Sequence, residues 1–443
     1  MSVAVASSAP AVERVLAPQK AATLADTGLT ADSVSSLIMK WLYRGEARGI
    51  DIADGIRLPY AVLEPLLAHM RTEQLVEVKS ASGLGTAGYR YSLTDAGRDR
   101  ARRWLDACGY VGPAPVPLDQ YTSYMMALAS ERPKIDEARV AEGFSHLVVE
   151  PAMLNQLGPA ISFGRAVFLY GAPGNGKSVM GEGIGRVLGG DIYIPHALDV
   201  DGQVISVYDP VTHQARERDD EHAIVRADDA VDGRWVRIRR PVITVGGELT
   251  LEMLDLRFNP LSAFYEAPLQ VKANGGVLVV DDFGRQRVPA RDLLNRWVVP
   301  LEAKIDYLNL HTGRKFQVPF ELMIVFATNL EPQSLADEAF LRRIPYKILA
   351  KNPSYDQYCR IFEMNCRRYG LPYEQTLVEH LHDRHYVPRR LQRRACHPRD
   401  LIDQVVTLCR YAQRKVELTP ELLDVVCQSY FLDDGQNGST SAR

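Results

Sequence analysis

The sequence predicts an α/β chain with a phosphate-loop core, a parallel sheet and a helical lid, preceded by a smaller helical region with a β-hairpin. Three observations predict it. A glycine loop, Gly171-Ala-Pro-Gly-Asn-Gly-Lys-Ser178, lies between a short apolar run and a helical stretch. A second apolar run, Val277-Leu-Val-Val280, ends in two acids, Asp281 and Asp282. From about residue 353 helical patterns alternate with short breaks, and strand signals fade.

The run Ala166–Tyr170 suits a buried parallel strand. Val179 to Leu188 suits a helix that stops at Gly189-Gly190. Strand, glycine loop and helix are the context in which this loop binds phosphate. Glycines let the backbone N–H groups turn inward, and the helix N-terminus adds positive potential. Gly171, Ala172, Pro173, Gly174, Asn175, Gly176, Lys177, Ser178 and Val179 are therefore the expected nucleotide-binding set, with ATP and Mg²⁺ as ligands. Lys177 would reach the β- and γ-phosphates, and the Ser178 hydroxyl would hold Mg²⁺. Asp281 would hold the metal through water, and Asp282 would polarise the attacking water. The competing readings are an ordinary glycine turn and an ordinary strand-ending turn rich in Asp. The flanking strand and helix favour the functional ones.

A chain of 443 residues is long enough for two or three domains. Its 46% hydrophobic and 24% charged content are those of a soluble globular protein. The net charge of −3 argues against wholesale coating of nucleic acid and leaves a local basic face open. Six cysteines with no Cys-x-x-Cys pair read as reduced thiols of an intracellular protein, so the cytoplasm is the expected location. No apolar run approaches a membrane span. The N-terminus lacks a leading basic cluster, which suggests a flexible tail and not a secretory signal.

The expected divisions are a tail (1–30), a small domain (31–107), a stiff linker (108–133), a nucleotide-binding domain (134–350) with an insertion at about 191–272, a lid (351–432) and a second tail (433–443). The linker rests on Gly112-Pro-Ala-Pro-Val-Pro117. In the small domain, apolar spacing predicts helices around Val34–Leu42, Ile52–Ile56 and from Pro59 onward. A hairpin follows at Leu75–Val78 and Tyr89–Leu93, with a glycine-rich tip, and Thr94 caps a last helix through Arg103. That order resembles a winged helix-turn-helix, and Tyr91-Ser-Leu-Thr-Asp-Ala-Gly-Arg98 resembles the wing exit of bacterial repressor families. A recognition helix offers Arg, Lys, Asn or Gln to DNA. Here the candidate offers Arg71 beside Glu64 and is mostly apolar, while Arg98, Arg100, Arg102 and Arg103 alternate with Asp95 and Asp99. Protein docking or assembly is the preferred reading of this domain, with DNA binding as its rival.

From about residue 144 to 430 the chain resembles an AAA+ ATPase. Phe144-Ser-His-Leu-Val-Val149 is similar to the adenine-cradling segment of that superfamily, and Leu322-Met-Ile-Val-Phe-Ala-Thr-Asn329 to its sensor-1 strand. Phe340-Leu-Arg-Arg-Ile-Pro345 is similar to the arginine-finger region, and His397-Pro-Arg-Asp-Leu-Ile402 to the sensor-2 turn. The resemblance implies that Asn329 lies near the γ-phosphate and the water, and that Arg399 acts in cis. It also implies that Arg343, with Arg342 as rival, acts on ATP of a neighbouring subunit, hence a homo-oligomer, commonly a hexameric ring. The fold so implied is a P-loop AAA+ core with parallel sheet and helical lid, preceded by a small winged helix-turn-helix domain.

The stretches 273–282 and 318–329 look nearest to the MoxR-like and enhancer-activator branches. Tyr307–Leu310 and Lys315–Val318, joined through Gly313, are similar to the hairpin inserted there before sensor 1, often directed toward the ring pore. Two departures stand out. Asp281-Asp282 replaces the usual Asp-Glu, which sets the second carboxylate about one methylene farther back and implies slow hydrolysis. The polymerase-contacting activator loop is absent from the sequence. The insertion carries strand-like runs at 203–208, 235–239 and 242–245 and reads either as surface decoration or as a partner-engaging element. His380, His382, His385, Cys396 and His397 lack the paired spacing of a structural zinc site and read as polar lid residues. The basic run Arg389–Arg394 reads as solvated or inter-subunit. The functional expectation is a Mg²⁺-dependent ATPase that remodels or assembles a protein partner. Its rivals are a DNA-tethered regulator and a nucleotide-gated scaffold with little turnover.

Overall fold

The computed structural model describes residues 15–81, 85–216 and 230–431. The chain forms two compact units: Met1–Pro133, Leu188–Leu278 and Asp292–Met323 make the first, and Lys134–Val187, Val279–Arg291 and Ile324–Arg443 the second.

In the first unit, helices Ala31–Leu42, Gly49–Ile56 and Tyr60–Thr72 are followed by antiparallel strands Val76–Ser80 and Arg90–Leu93, then by helix Asp95–Ala107. Thr30 and Thr94 begin the first and last of these helices by accepting the backbone N–H of Ser33 and Gly97. The apolar positions that set the helical period, among them Val34, Ile38, Leu63 and Leu67, meet in one core. Residues 82–84 of the expected glycine-rich tip lie outside the described residues.

Three divisions of the first unit differ from expectation. Residues 15–30 are not a tail: they include helix Leu24–Thr27, closed by a capping box between Thr23 and Asp26, and bury Ala21, Thr27 and Leu29. Residues 1–14 and 432–443, which hold the rest of the expected tails, lie outside the described residues. Nor is 108–133 a linker. Val116 and Pro117 pair in parallel with Leu198 and Asp199, and Leu118–Ser130 forms a helix that buries Tyr121, Tyr124, Met125 and Leu128. Those four apolar positions at i, i+3, i+4 and i+7 are a helical stripe, overshadowed in sequence by the proline run before them.

The stretch expected as an insertion is the body of this unit. Asp191–Pro195 pairs antiparallel with Trp235–Arg239. A five-stranded sheet runs Arg257–Asn259, Phe264–Glu266, Gln203–Ser206, Ala197–Val200, Val116–Pro117. Ile192, Leu198, Ile205, Trp235 and Tyr265 share a core with helix Leu118–Ser130. That core also takes Leu308, Leu310, Phe316 and Val318 from hairpin Ile305–Asn309/Lys315–Pro319. The hairpin's tip is held as well: His311 stacks on Phe258 with centroids 4.3 Å apart, and Arg314 Nε lies 2.5 Å from Asp201. Arg234, 1% exposed, pairs with Asp232 at 2.7 Å and donates to the Thr27 carbonyl at 2.9 Å, which ties the N-terminal segment to the sheet region. Residues 217–229 of the charged loop lie outside the described residues.

Four neighbouring strands run in the order Val277–Val280, Met323–Thr328, Ala166–Tyr170, Tyr346–Leu349, and the second unit takes the first of them from Val279 and the second from Ile324. Ala166–Tyr170 pairs in parallel with both of its neighbours. All three of its central residues are fully buried, as an unbroken apolar run in a parallel sheet requires. Helices Tyr355–Arg368, Gln375–Leu381, His397–Tyr411 and Pro420–Tyr430 follow, with a π-helical turn at His382–Tyr386. Phe362, Leu381, Leu401, Val405 and Leu423 form their core. Among the described residues no helix is long and apolar enough to cross a membrane.

Candidate functional site

The site lies at the C-terminal ends of the parallel strands, where open α/β sheets bind ligands. Register decides which residues meet there. Thr328 pairs with Tyr170, so Asn329 and Gly171 leave the sheet at the same height. Phe283 anchors the acidic turn from below: its N–H donates to the Ala327 carbonyl at 2.8 Å, and its carbonyl accepts from Thr328 Oγ1 at 2.7 Å. Its ring packs against Phe168 and Phe326. Asp281 and Asp282 are thereby turned toward the phosphate loop, with Asp282 in the left-handed region at φ 47°. Gln286 clamps this turn, donating to the Asp281 carbonyl at 3.1 Å and accepting from the Gly284 N–H at 2.8 Å.

The loop itself departs from extended backbone at Gly174 (φ 80°) and Gly176 (φ 76°), conformations that L side chains rarely adopt. Helix Lys177–Leu188 starts directly after it. The Lys177 ammonium, 7% exposed as a residue, bonds to the Gly171 and Ala172 carbonyls at 3.0 Å each and to Asn329 Oδ1 at 2.5 Å. Burial pulls its pKa down, opposed by the charges of Asp282 and Asp281. Ser178 Oγ donates to Asp281 Oδ2 at 2.6 Å, and Asn329 Nδ2 to Asp282 Oδ1 at 3.2 Å. The Asp282 N–H donates to Asp281 Oδ1 at 2.9 Å, which joins cation, hydroxyl, amide and two carboxylates into one connected set. The paired oxygens of Ser178 and Asp281 suit a hard divalent cation such as Mg²⁺.

These groups line a cavity of about 850 Å³ together with Pro173 to Met180, the segment His146–Val149, and Ile361, Met364, Asn365 and Arg368 of helix Tyr355–Arg368. His146 Nε2 is buried without a hydrogen-bond partner, and burial lowers that imidazole's pKa. Leu147, Val148, Ile361 and Met364 contribute apolar side chains to this part of the lining. Sequence reasoning missed the helix face, although its i, i+3, i+4, i+7 spacing was readable. Arg399 also lines the cavity, exposed and paired with Asp400 at 2.8 Å, which raises its pKa. Arg342 and Arg343 stand apart from the cavity after the short helix Glu338–Leu341, with Arg342 exposed and Arg343 donating to the Ala339 carbonyl at 3.0 Å.

His380, His382, His385, Cys396 and His397 do not all meet at one point. His380 and His385 donate through Nε2 to Asp424 Oδ1 at 2.8 and 2.6 Å, and Arg384 reaches Asp424 Oδ2 at 3.0 Å. These two histidines and Asp424 are close enough to share an ion. Arg389, however, approaches His385 Nδ1 at 2.7 Å, which makes that nitrogen the acceptor and leaves Nε2 protonated. His397 instead bonds Tyr386 Oη through Nδ1 at 2.8 Å.

Fold and site together are those of an α/β protein with a glycine loop at the C-terminal ends of parallel strands and a helical C-terminal part. Residues 354–429 match the model of a domain of unknown function, DUF8689. No curated protein sequence matches the chain. Among solved structures the chain is similar to NtrX from Brucella abortus, at 14% identity over 65% of this chain and 56% of that one, with a TM-score of 0.40. It is similar to the same protein in complex with ADP, at 15% identity over 62% and 54%, with a TM-score of 0.37. It is also similar to the RuvB Holliday junction branch migration motor of Thermotoga maritima, at 14% identity over 68% and 74%, with a TM-score of 0.35. The chain thus spans little more than half of the NtrX chains it matches.

Proposed function

We propose that the protein is a Mg²⁺-dependent AAA+ ATPase that couples ATP binding and hydrolysis to the remodelling or assembly of a protein partner. The observation that carries this reading is the single hydrogen-bonded set formed by Lys177, Ser178, Asp281, Asp282 and Asn329 at one cavity mouth. ATP enters with its triphosphate along the loop N–H groups and its base between His146–Val149 and the helix face at Ile361 and Met364. Lys177 exchanges its carbonyl and Asn329 contacts for β- and γ-phosphate oxygens. Ser178 and Asp281 would hold Mg²⁺, which would supply neutralisation of phosphate charge. Asp282, oriented by Asn329, positions the water and draws on its proton as its oxygen attacks phosphorus. The bond from the γ-phosphorus to the β–γ bridging oxygen breaks, giving ADP and phosphate. Arg399 leaves Asp400 for the γ-phosphate, and Arg343 of a neighbouring subunit reaches the same group, most of the catalytic gain being electrostatic. The N-terminal helical region serves as a protein-docking module. Its basic face is interrupted by acids, which favours this over duplex binding.

The test is Asp282→Asn. The variant should bind ATP with near wild-type affinity and lose turnover by about a hundred-fold or more, the scale of general-base contributions. Unchanged turnover would assign that role to another group, and a wild type with no turnover but firm ATP binding would favour the gated scaffold.

A further inference from the structure

We infer that Asn175 is a positioning residue that locks the phosphate loop to the lid, so that loop and lid respond to nucleotide as one body. The inference rests on the nucleotide reading above and concerns the regulation of that same site. Cradling phosphate uses the backbone of this loop, which leaves the Asn175 side chain without a role in that chemistry. Yet it is 3% exposed and its amide is spent on two segments outside the loop. Nδ2 donates to Asn352 Oδ1 at 2.8 Å and to the Ala350 carbonyl at 3.1 Å, while Oδ1 accepts the Ala395 N–H at 3.4 Å. Ala350 extends the neighbouring strand, its N–H bonded to the Tyr170 carbonyl at 2.7 Å. Ala395 belongs to the turn that begins lid helix His397–Tyr411.

The same turn is fastened a second and a third time. Cys396 donates its N–H to the Gly174 carbonyl at 2.8 Å, and Arg394 donates to Asn352 Oδ1 at 2.6 Å. A Cβ on Gly174 would stand 2.5 Å from Cys396 Sγ, so loop and turn are already in contact. Rotation of the lid turn away from the loop would take the Ala395 N–H from the buried Asn175 Oδ1 and break the Cys396–Gly174 bond, a cost that opposes separation of the two. Lys177 follows Asn175 by two residues. A shift of the turn is therefore delivered to the residue that grips phosphate.

Asn352 separates this role from direct contact with nucleotide, since it lies outside the cavity lining, half-buried, in no helix or strand. ATP affinity and turnover would be measured for wild type, Asn352→Ala, Asn352→Asp, Asn175→Ala and the double variant Asn175→Ala/Asn352→Ala, with thermal melting of the nucleotide-free proteins alongside. Asn352→Ala removes the shared acceptor and should weaken ATP binding about ten-fold with little change in melting. Asn352→Asp keeps the acceptor and should stay near wild type. The double variant should bind no more weakly than Asn175→Ala alone, the mark of coupled residues. Wild-type affinity in Asn352→Ala, equal losses in Asn352→Ala and Asn352→Asp, or multiplying losses in the double variant would overturn the inference. A wild type that binds no ATP would overturn the function instead.

Discussion

At the scale of single residues, burial sets what the lid's polar groups can do. His397 bonds Tyr386 through Nδ1 and packs edge-on against Tyr430 and Phe431, and burial pushes its pKa down to about 4, with Arg394 adding to the effect and Asp400 opposing it. The folded state therefore binds fewer protons here than the unfolded chain, whose histidine titrates near 6.5. The stabilisation is complete above pH 6.5 and falls away as the pH drops toward 4. Denaturation midpoints across that range should decline more steeply for wild type than for His397→Phe. Equal slopes would show that this imidazole is not held neutral. The same logic separates residues that the sequence made legible from those it did not. Lys177, Ser178 and Asp281 announce themselves through local motifs, because phosphate binding constrains consecutive residues. Asn175 was legible only as a member of the glycine loop, and its side-chain role was not, since its partners Asn352 and Ala395 are brought to it only by the folded chain.

At the scale of elements, runs with a local cause emerged close to their expected bounds. Ala166–Tyr170 and Val277–Val280 are strands because each is an unbroken apolar run with a turn at its end. Helix Leu118–Ser130 was hidden behind the prolines before it, although its buried stripe is as regular as those of Ala31–Leu42. Grouping was illegible for a different reason. The pairing of Val116 with Leu198, and the burial of Phe316 beside Trp235, join segments whose separate patterns name no partner. The strands at 191–206 and 235–239 therefore looked like an addition to a nucleotide domain, while they, the hairpin at 305–319 and helix Leu118–Ser130 build one of the two cores of the first unit. That hairpin is held at its tip by His311 stacked on Phe258 and by Arg314 beside Asp201.

At the scale of the whole molecule, the proposed chemistry extends beyond one chain. Arg343 donates to the Ala339 carbonyl of its own short helix and lies away from its own cavity, an arrangement suited to action on a neighbour's ATP. A finger supplied in trans is worth roughly 10³ to 10⁵ in rate in related phosphoryl transfers. Arg343→Ala should keep ATP affinity and lose turnover, and mixing it with Lys177→Ala protein should restore part of the activity. A fully active Arg343→Ala monomer would remove the ring from the account. The claim on which everything else depends is that the cavity bounded by Lys177, Asp281 and Asn329 takes Mg²⁺–ATP. Equilibrium binding of ATP to wild type and to Lys177→Ala, both shown to be folded, tests it most directly. The wild type should bind ATP saturably with Mg²⁺ present, and removal of the ammonium should abolish nearly all of that binding. Equal affinity in the two proteins would contradict it.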